Sequence, residues 1–129
     1  MEHHQQYQTL WKGERGRTYL YQSEIPYDPP TQASFTSGPG VKGWASYKVG
    51  DAVKTHEAWG LGIYSVFRHP DVELTRAIEA PKTPGVRFHD MITVCLLTHG
   101  GIRNIADDAG GAATCAPRNW PRLTNFPVQ

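Results

Sequence analysis

Residues 60–67 are "GLGIYSVF", and a strand built from them would be apolar on both of its faces. Successive side chains of a strand point to opposite faces, so a strand with one wet face carries a polar residue at every second position. This run lacks that alternation, which predicts a strand buried on two sides. The runs "GVRFHDMITVCLL" (85–97) and "GGIRNIAD" (100–107) are strong strand candidates because Gly and Pro bound them.

The sequence on either side of these runs also predicts β-structure. Aromatic and β-branched residues are frequent in "YQTLW" (7–11) and "RTYLYQSEI" (17–25), and the intervening "KGERG" (12–16) has the chemistry of a turn. A helix could form at "DVELTRAIEA" (71–80), but it would be short. No amphipathic helical stripe of useful length occurs in the chain, so the predicted class is all-β.

The length of 129 residues is that of one ordinary domain, and we expect residues 1–129 to form a single domain. Residues 28–43, "DPPTQASFTSGPGVKG", are rich in Pro, Gly and Ser and predict a long surface loop. Loops of this length are uncommon in compact domains and are often functional. Residues 112–129 include three prolines, and we expect them to form an irregular tail over the surface.

The strand pattern favours one β-architecture over another. A β-sandwich of this length should show clean period-two strands at intervals of roughly 8–12 residues. Here the strands vary in length, the loops are long and several strands look buried on both sides. This pattern suits the stacked coils of a parallel β-helix, in which each coil is covered by its neighbours. Since no N-terminal cap precedes the first coil, we expect further coils upstream, in the same chain or in another.

Composition and charge exclude several functions. Lys and Arg number 13 against 12 Asp and Glu, so the chain lacks the clustered basic excess of a nucleic-acid-binding protein. No run of 18 apolar residues is present, which argues against a membrane span. The N-terminus lacks the basic and then apolar pattern of a signal peptide. Neither a Gly-rich phosphate loop nor a G-x-S-x-G nucleophile elbow occurs, and we expect no cofactor.

The cysteines and histidines give no metal-site pattern. Cys95 lies in an apolar run and is most simply a buried thiol, although a disulfide with Cys115 stays open. The six histidines show no recurrent spacing beyond the adjacent His3 and His4, so we expect no metal site.

Two carboxylates have the most informative spacing in the chain. Glu2 and Glu24 are 22 residues apart, within the usual length of one β-helix coil. Residues one coil apart lie on adjacent strands about 4.8 Å apart. Simple alternation would place Thr18, Leu20, Gln22 and Glu24 on one face of their strand, and Glu2 on one face of the earlier strand. If these two strands are adjacent, Glu2 and Glu24 point the same way. Paired carboxylates on one surface are what glycoside hydrolysis requires, while the alternative is that both are solvated surface residues.

Amide and aromatic side chains near these glutamates suit a saccharide ligand. Sugars present apolar C–H faces and hydroxyl groups, which aromatic rings and amides recognise. The alternative is that the aromatic residues are packing groups. The candidate substrate-binding residues are Gln22, Tyr21, Tyr27, Trp59 and Tyr64.

The stretch "EHHQQYQ…GRTYLYQSEIPYDPP" (2–30) resembles the catalytic stretch of glycoside hydrolase family 55, the β-1,3-glucanases built from tandem right-handed parallel β-helices. That family has a Leu-Glu-His opening to one coil and a Gln-Thr-Glu-Thr-Pro-Tyr ending to the next. The matching letters here are Glu2-His3 and then residues 22–27, "QSEIPY". Residues 43–68 and 76–94 resemble the last coils of related bacterial and fungal β-helix proteins.

The resemblance implies a fold, an activity and roles. The fold would be the C-terminal coils of a right-handed, pectin-lyase-like parallel β-helix, in a fragment of a larger secreted protein. The activity would be inverting hydrolysis of a β-glucan, with Glu24 as general acid and Glu2 holding the water. Ser23 and Ile25 replace the two Thr residues that flank the acid in the family. Further groups of the family's active site come from upstream coils, so this chain would carry part of the site.

Two other functions remain open at the level of the sequence. A non-catalytic carbohydrate-binding module would use Tyr21, Tyr27, Trp59 and Tyr64, and its saccharide binding would survive Glu24→Gln. A structural β-helix module would have no ligand, and it predicts that the two carboxylates lie apart and that the aromatic residues are buried.

Overall fold

The computed structural model describes residues 1–97 and 99–128. Across these residues the chain forms twelve strands and no helix, so the predicted all-β class is confirmed, and no helix there is long and apolar enough to cross a membrane. The strands are β1 (Thr9–Trp11), β2 (Gly16–Glu24), β3 (Thr36–Gly38), β4 (Val41–Lys42), β5 (Tyr47–Val49), β6 (His56–Ser65), β7 (Leu74–Glu79), β8 (Val86–Cys95), β9 (Gly101–Ala106), β10 (Ala113–Cys115), β11 (Arg118–Asn119) and β12 (Arg122–Phe126).

Two sheets hold most of the strands. One has four strands in the order β12-β8-β6-β2, and the other has six in the order β1-β5-β7-β9-β10-β11. From β5 to β9 successive strands alternate between the two sheets, and each return adds a strand parallel to the one already there. A small antiparallel pair, β3 and β4, lies between β2 and β5 in the sequence.

The apolar core fills the space between these two sheets. Alternate residues of β6 are buried, including Leu61 and Ile63, and they pack with Phe88 of β8 and Ile78 of β7. The other face of "GLGIYSVF" is half-buried rather than buried. Two of its positions are glycines, and the ring of Tyr64 lies over Gly62. The inner face was therefore predicted correctly, and the outer face is more open than the sequence indicated.

Three segments differ from what the sequence indicated. Residues 71–80, where a short helix was possible, contain strand β7, which pairs with β5 on one side and β9 on the other. The predicted loop 28–43 includes the short β3–β4 pair and has no other strand. The tail 112–129, expected to be irregular, contains β10, β11 and β12. Strand β12 forms because Phe126 is buried and its ring packs against Phe88, with the centroids 6.3 Å apart.

A disulfide joins the tail to the four-stranded sheet. Cys95 at the end of β8 bonds to Cys115 in β10, with 5.1 Å between the Cα atoms. Cys95 is also 2% exposed, so the residue predicted as a buried thiol is buried but oxidised. Of the two pairing states that the sequence left open, the disulfide is the one found.

One row of residues bends all three parallel strands of the four-stranded sheet. Leu20, Gly60 and Asp90 have φ angles of 61°, 69° and 55°, which is the left-handed region. The strands pair in register on both sides of this row. Each strand therefore gains one residue at the same level, and its inward and outward alternation restarts after the bend.

This bend corrects the predicted grouping of side chains on β2. Thr18 points inward, where its Oγ1 lies 2.7 Å from Tyr47 Oη in a shared hydrogen bond. Leu20 occupies the bend itself and is 86% exposed. Gln22 and Glu24 lie on the outer face, so the predicted shared face of Thr18, Leu20, Gln22 and Glu24 is wrong for its first two members.

Candidate active site

Glu2 and Glu24 are direct neighbours on adjacent parallel segments. The two residues form an isolated parallel β-bridge. The amide of His3 donates to the Glu24 carbonyl at 3.0 Å, and the amide of Glu24 donates to the Met1 carbonyl at 3.2 Å. Residues in register on neighbouring strands lie about 4.8 Å apart and point the same way. The predicted adjacency of the two glutamates in the backbone is confirmed, and one of the two predictions of the structural-module alternative, that they lie apart, is wrong.

The imidazole of His3 lies against the Glu24 carboxyl. His3 Nε2 is 3.0 Å from Glu24 Oε1, and the two side chains are 37% and 31% exposed. Glu24 is therefore partly shielded, whereas Glu2 is exposed to solvent. The two carboxyl groups consequently have different surroundings, which is the condition for giving two acids different roles.

Gln22 and Tyr64 lie on the outer face beside Glu24. Gln22 pairs in register with Gly62 on β6, and Glu24 pairs with Tyr64. A Cβ atom added to Gly62 would stand 3.0 Å from Tyr64 Oη, so glycine at this position leaves room for the tyrosine ring to lie across the strand. Two of the predicted substrate-binding residues are thus next to the predicted acid.

Tyr27 belongs to the same neighbourhood. Its ring meets the edge of the His3 ring at 4.7 Å, and the guanidinium of Arg68 lies 4.4 Å from the centre of its ring. The amide of Arg68 also donates to the Tyr27 carbonyl at 2.9 Å. Contacts with His3 and Arg68 therefore fix the tyrosine in place, and part of its ring is already covered.

Trp59 is on the outer face but on the other side of the bend. It stacks between Tyr19 and His89, at centroid distances of 4.9 Å and 5.3 Å. His89 Nε2 lies 2.9 Å from Glu57 Oε1, and its Nδ1 lies 2.9 Å from Asn125 Oδ1. The structure does not bring Trp59 together with the two glutamates, and both of its ring faces are covered.

Tyr21 faces the interior, contrary to its prediction as a substrate-binding residue. Its ring meets the edge of Tyr47, and its hydroxyl lies 3.2 Å from Thr9 Oγ1 and 3.3 Å from Ser46 Oγ. The physical reason is the bend at Leu20, which shifts the alternation and sends Tyr21 inward. A residue whose hydroxyl and ring are occupied inside the molecule is not available to a ligand on the outer face.

Sequence reasoning missed His3 and Arg68 as members of this group. In a regular strand His3 would point away from the face that carries Glu2. Its φ of 57° breaks that alternation. Arg68 comes close through its hydrogen bond with Tyr27, and no local pattern announces it. The signal for His3 was present only as its place next to Glu2 in the "EHH" opening.

The described residues contain no group of three or more His, Cys, Asp and Glu side chains arranged to hold a metal ion. A cavity of about 850 Å³ lies along β12 and is lined by residues that include Arg87, His89 and Arg122, but by neither Glu2 nor Glu24. Glu2 is exposed and the side chain of Glu24 is 31% exposed, so both carboxyl groups can meet a ligand at the surface.

Comparison with known proteins relates this arrangement to a characterised enzyme. No model of a known protein family matches the chain. The chain is 43% identical over 128 residues to an exo-β-1,3-glucanase of Streptomyces sp. (strain SirexAA-E / ActE), an alignment that covers 98% of the chain and 21% of the enzyme. The chain is homologous to part of a bacterial β-1,3-glucanase. The predicted resemblance to this group is confirmed, and the chain spans about a fifth of the length of that curated relative.

Solved structures show the same similarity in three dimensions. The structure of sacteLam55A from Streptomyces sp. SirexAA-E matches with a TM-score of 0.92 and 38% identity, covering 98% of this chain and 23% of that one. A variant of sacteLam55A, solved in complex with glucose, matches equally well. Over almost its whole length, the chain therefore has the same backbone fold as the corresponding part of sacteLam55A.

Proposed function

We propose that this chain carries part of the active site of an inverting glycoside hydrolase that acts on a β-glucan. The observation that carries the proposal is the side-by-side placement of Glu2 and Glu24, in a chain that is 43% identical to part of an exo-β-1,3-glucanase. Glu24 is the general acid, and Glu2 positions and activates the water. Gln22, Tyr27 and Tyr64 are the proposed saccharide contacts because they surround Glu24.

Glu24 and Glu2 account for both proton transfers of the proposed reaction. Protonated Glu24 gives its proton to the glycosidic oxygen as the bond from that oxygen to the anomeric carbon breaks. A water held by the Glu2 carboxylate attacks the anomeric carbon from the opposite side, and its proton passes to Glu2. Inverting enzymes separate the two carboxyl groups by roughly 6.5–9.5 Å to admit that water. Glutamate side chains that diverge from backbones about 4.8 Å apart can reach this span.

We further propose that residues 1–129 are one domain made of the C-terminal coils of a right-handed, pectin-lyase-like parallel β-helix. The alternation of the chain between two sheets with parallel returns supports coiling of this kind. Coverage of about a fifth of the glucanase supports a role for upstream coils in completing the site. The Cys95–Cys115 disulfide supports a secreted protein, since disulfides persist in oxidising compartments.

A carbohydrate-binding module without catalysis is the second candidate. It is favoured by the partial exposure of the side chains beside Glu24, where Tyr64 offers a ring and Gln22 an amide. Trp59 would extend such a surface only through its edge, because both of its faces are stacked.

Hydrolysis of a β-1,3-linked oligosaccharide separates these two functions. Because upstream coils complete the site, the assay uses the chain joined to the upstream part of the homologous glucanase. We expect this fusion to release reducing sugar, and we expect Glu24→Gln and Glu2→Gln each to lower the rate at least about 100-fold, because general acid or base catalysis is lost. Glu57→Gln is the matched control, since Glu57 lies on the same face but beyond the bend. Binding that survives Glu24→Gln without sugar release in any variant would support the binding module. Absence of both binding and release would contradict both functions.

A further inference from the structure

The backbone at His3 adopts a conformation that brings its side chain to Glu24. Its φ of 57° lies in the left-handed region, which is uncommon for residues other than Gly, although histidine adopts it more often than most. Such positions persist when the surrounding structure holds them, and they concentrate at functional sites. The result is the 3.0 Å approach of Nε2 to Glu24 Oε1, which a regular strand would not allow.

Two further side chains hold the imidazole in this place. The edge-to-face contact of Tyr27 with His3 fixes the plane of the His3 ring, at an angle of 84° between the two rings. Arg68 lies over the ring of Tyr27 and so limits its movement. The sequence of contacts runs from Arg68 through Tyr27 and His3 to Glu24, and each contact involves a planar group with few ways to move.

We propose that His3 is a positioning residue for the Glu24 carboxyl, an inference that rests on the proposed role of Glu24 as general acid. With its proton on Nε2, a neutral imidazole presents an N–H to Oε1 and leaves Oε2 to carry the acid proton towards the substrate. When that proton has passed to the leaving oxygen, the same N–H faces the new carboxylate. His3 does not touch the substrate, and it acts through Glu24.

No hydrogen bond joins the two groups at the observed orientation. His3 Nε2 is shielded from solvent and has no hydrogen-bond partner among the described residues, although it lies 3.0 Å from Glu24 Oε1. The proposed role therefore requires the imidazole or the carboxyl to turn so that the N–H faces Oε1.

Three variants of the full chain test this role through the kinetics of β-1,3-oligosaccharide hydrolysis. His3→Phe keeps a flat ring against Tyr27 but removes the donor, and we expect kcat to fall about 10–100-fold with KM within about twofold. His3→Gln returns an N–H donor at a similar reach, and we expect it to restore most of kcat. His4→Phe is the matched control and should leave both constants unchanged. Equal kcat in His3→Phe and the unaltered chain would overturn the proposal.

Nitrogen NMR of histidine-labelled chain tests the contact without relying on catalysis. We expect the Nε2 resonance of His3 to shift on Glu24→Gln by more than that of any other histidine, and that of His4 to stay constant. An unaltered chain that shows no hydrolytic activity when its upstream coils are present would contradict the proposed function, while the NMR result would still decide on His3. A His3 resonance that ignores Glu24→Gln would overturn the positioning role.

Discussion

Three left-handed residues decide which side chains of the four-stranded sheet reach its outer face. Leu20, Gly60 and Asp90 lie at one level of three neighbouring strands, and each restarts the alternation of its strand. Gln22 and Glu24 consequently point outward, while Tyr21 points inward. The composition of the candidate site therefore depends on backbone dihedral angles at positions that belong to no motif.

Substitution of Gly60 tests the requirement for this bend. Gly60→Ala should lower the free energy of unfolding by about 1 kcal/mol. Alanine is strained at φ 69°, and this strain exceeds the stabilisation that alanine gives by lowering the conformational entropy of the unfolded chain. No heavy atom comes closer than 3.9 Å to the added methyl group, so the cost is one of backbone conformation. Denaturant unfolding measures the change.

Gly38 supplies the control for this experiment. It has an ordinary φ and nothing within 4 Å of an added Cβ atom, so Gly38→Ala should be neutral or slightly stabilising. Equal effects of the two substitutions would contradict the account of the bend.

His56 gives a prediction about pH. Its side chain is buried, its Nε2 shares a 2.9 Å hydrogen bond with Tyr47 Oη, and burial lowers its pKa below the ordinary value of 6.5. The unfolded chain therefore binds the proton more readily, so the stability that His56 contributes is fully present above pH 6.5 and declines as the pH falls below that value. We expect the melting temperature of the unaltered chain to fall between pH 7.5 and pH 5.

The variant His56→Gln should show a smaller fall over the same range, since glutamine does not titrate. His4→Gln, at an exposed histidine, should leave the slope as it is in the unaltered chain. If the melting temperatures of His56→Gln and of the unaltered chain fall equally with pH, His56 makes no pH-dependent contribution to stability.

The sequence allowed part of the site to be predicted at this scale. The 22-residue spacing of Glu2 and Glu24 predicted their adjacency because it lies within the usual length of one β-helix coil. The next two returns to this sheet, from Glu24 to Tyr64 and from Tyr64 to Val94, take 40 and 30 residues. The inward turn of Tyr21 could not be predicted, since leucine at position 20 gives no sign of a left-handed backbone. The contact of His3 with Glu24 was hidden for the same reason.

At the scale of elements, the C-terminal tail differs most from its prediction. Its prolines suggested irregular structure, but Pro121 and Pro127 flank β12 and leave residues 122–126 free to pair with β8. Strand pairing also explains why residues 71–80 contain β7. Parallel neighbours on both sides hydrogen-bond to its backbone, whereas a short isolated helix is only marginally stable. Such long-range pairing cannot be read from local residue preferences.

The disulfide should make a large contribution to the stability of this tail. Cys95 and Cys115 are 20 residues apart, and a crosslink that closes a loop of this size contributes about 3 kcal/mol. We expect a reductant to lower the free energy of unfolding by about this amount, as measured by denaturant titration. The double variant Cys95→Ala and Cys115→Ala should no longer respond to the reductant. Two titratable thiols in the native, untreated protein would contradict the assignment.

The described part of the molecule consists of two larger sheets, between which the chain passes repeatedly, and the small β3–β4 sheet. This arrangement exposes β2 at one edge of its sheet, where the segment at Glu2 makes a single bridge. The strands buried on one or both faces allowed the all-β class to be predicted, and their stacking as the coils of a right-handed β-helix stays a proposal. The resemblance to glucanases is confirmed by a TM-score of 0.92 to part of sacteLam55A.

The most direct test of the account is the stereochemistry of hydrolysis at the Glu2 and Glu24 pair. Proton NMR can follow the anomeric signal as the chain, joined to the upstream coils that complete its site, first releases sugar from a β-1,3-linked oligosaccharide. Inversion predicts that the α-anomer appears first and that the β-anomer grows in later by mutarotation, with no signal from Glu24→Gln. Initial release of the β-anomer, or release that persists in Glu24→Gln, would contradict the account.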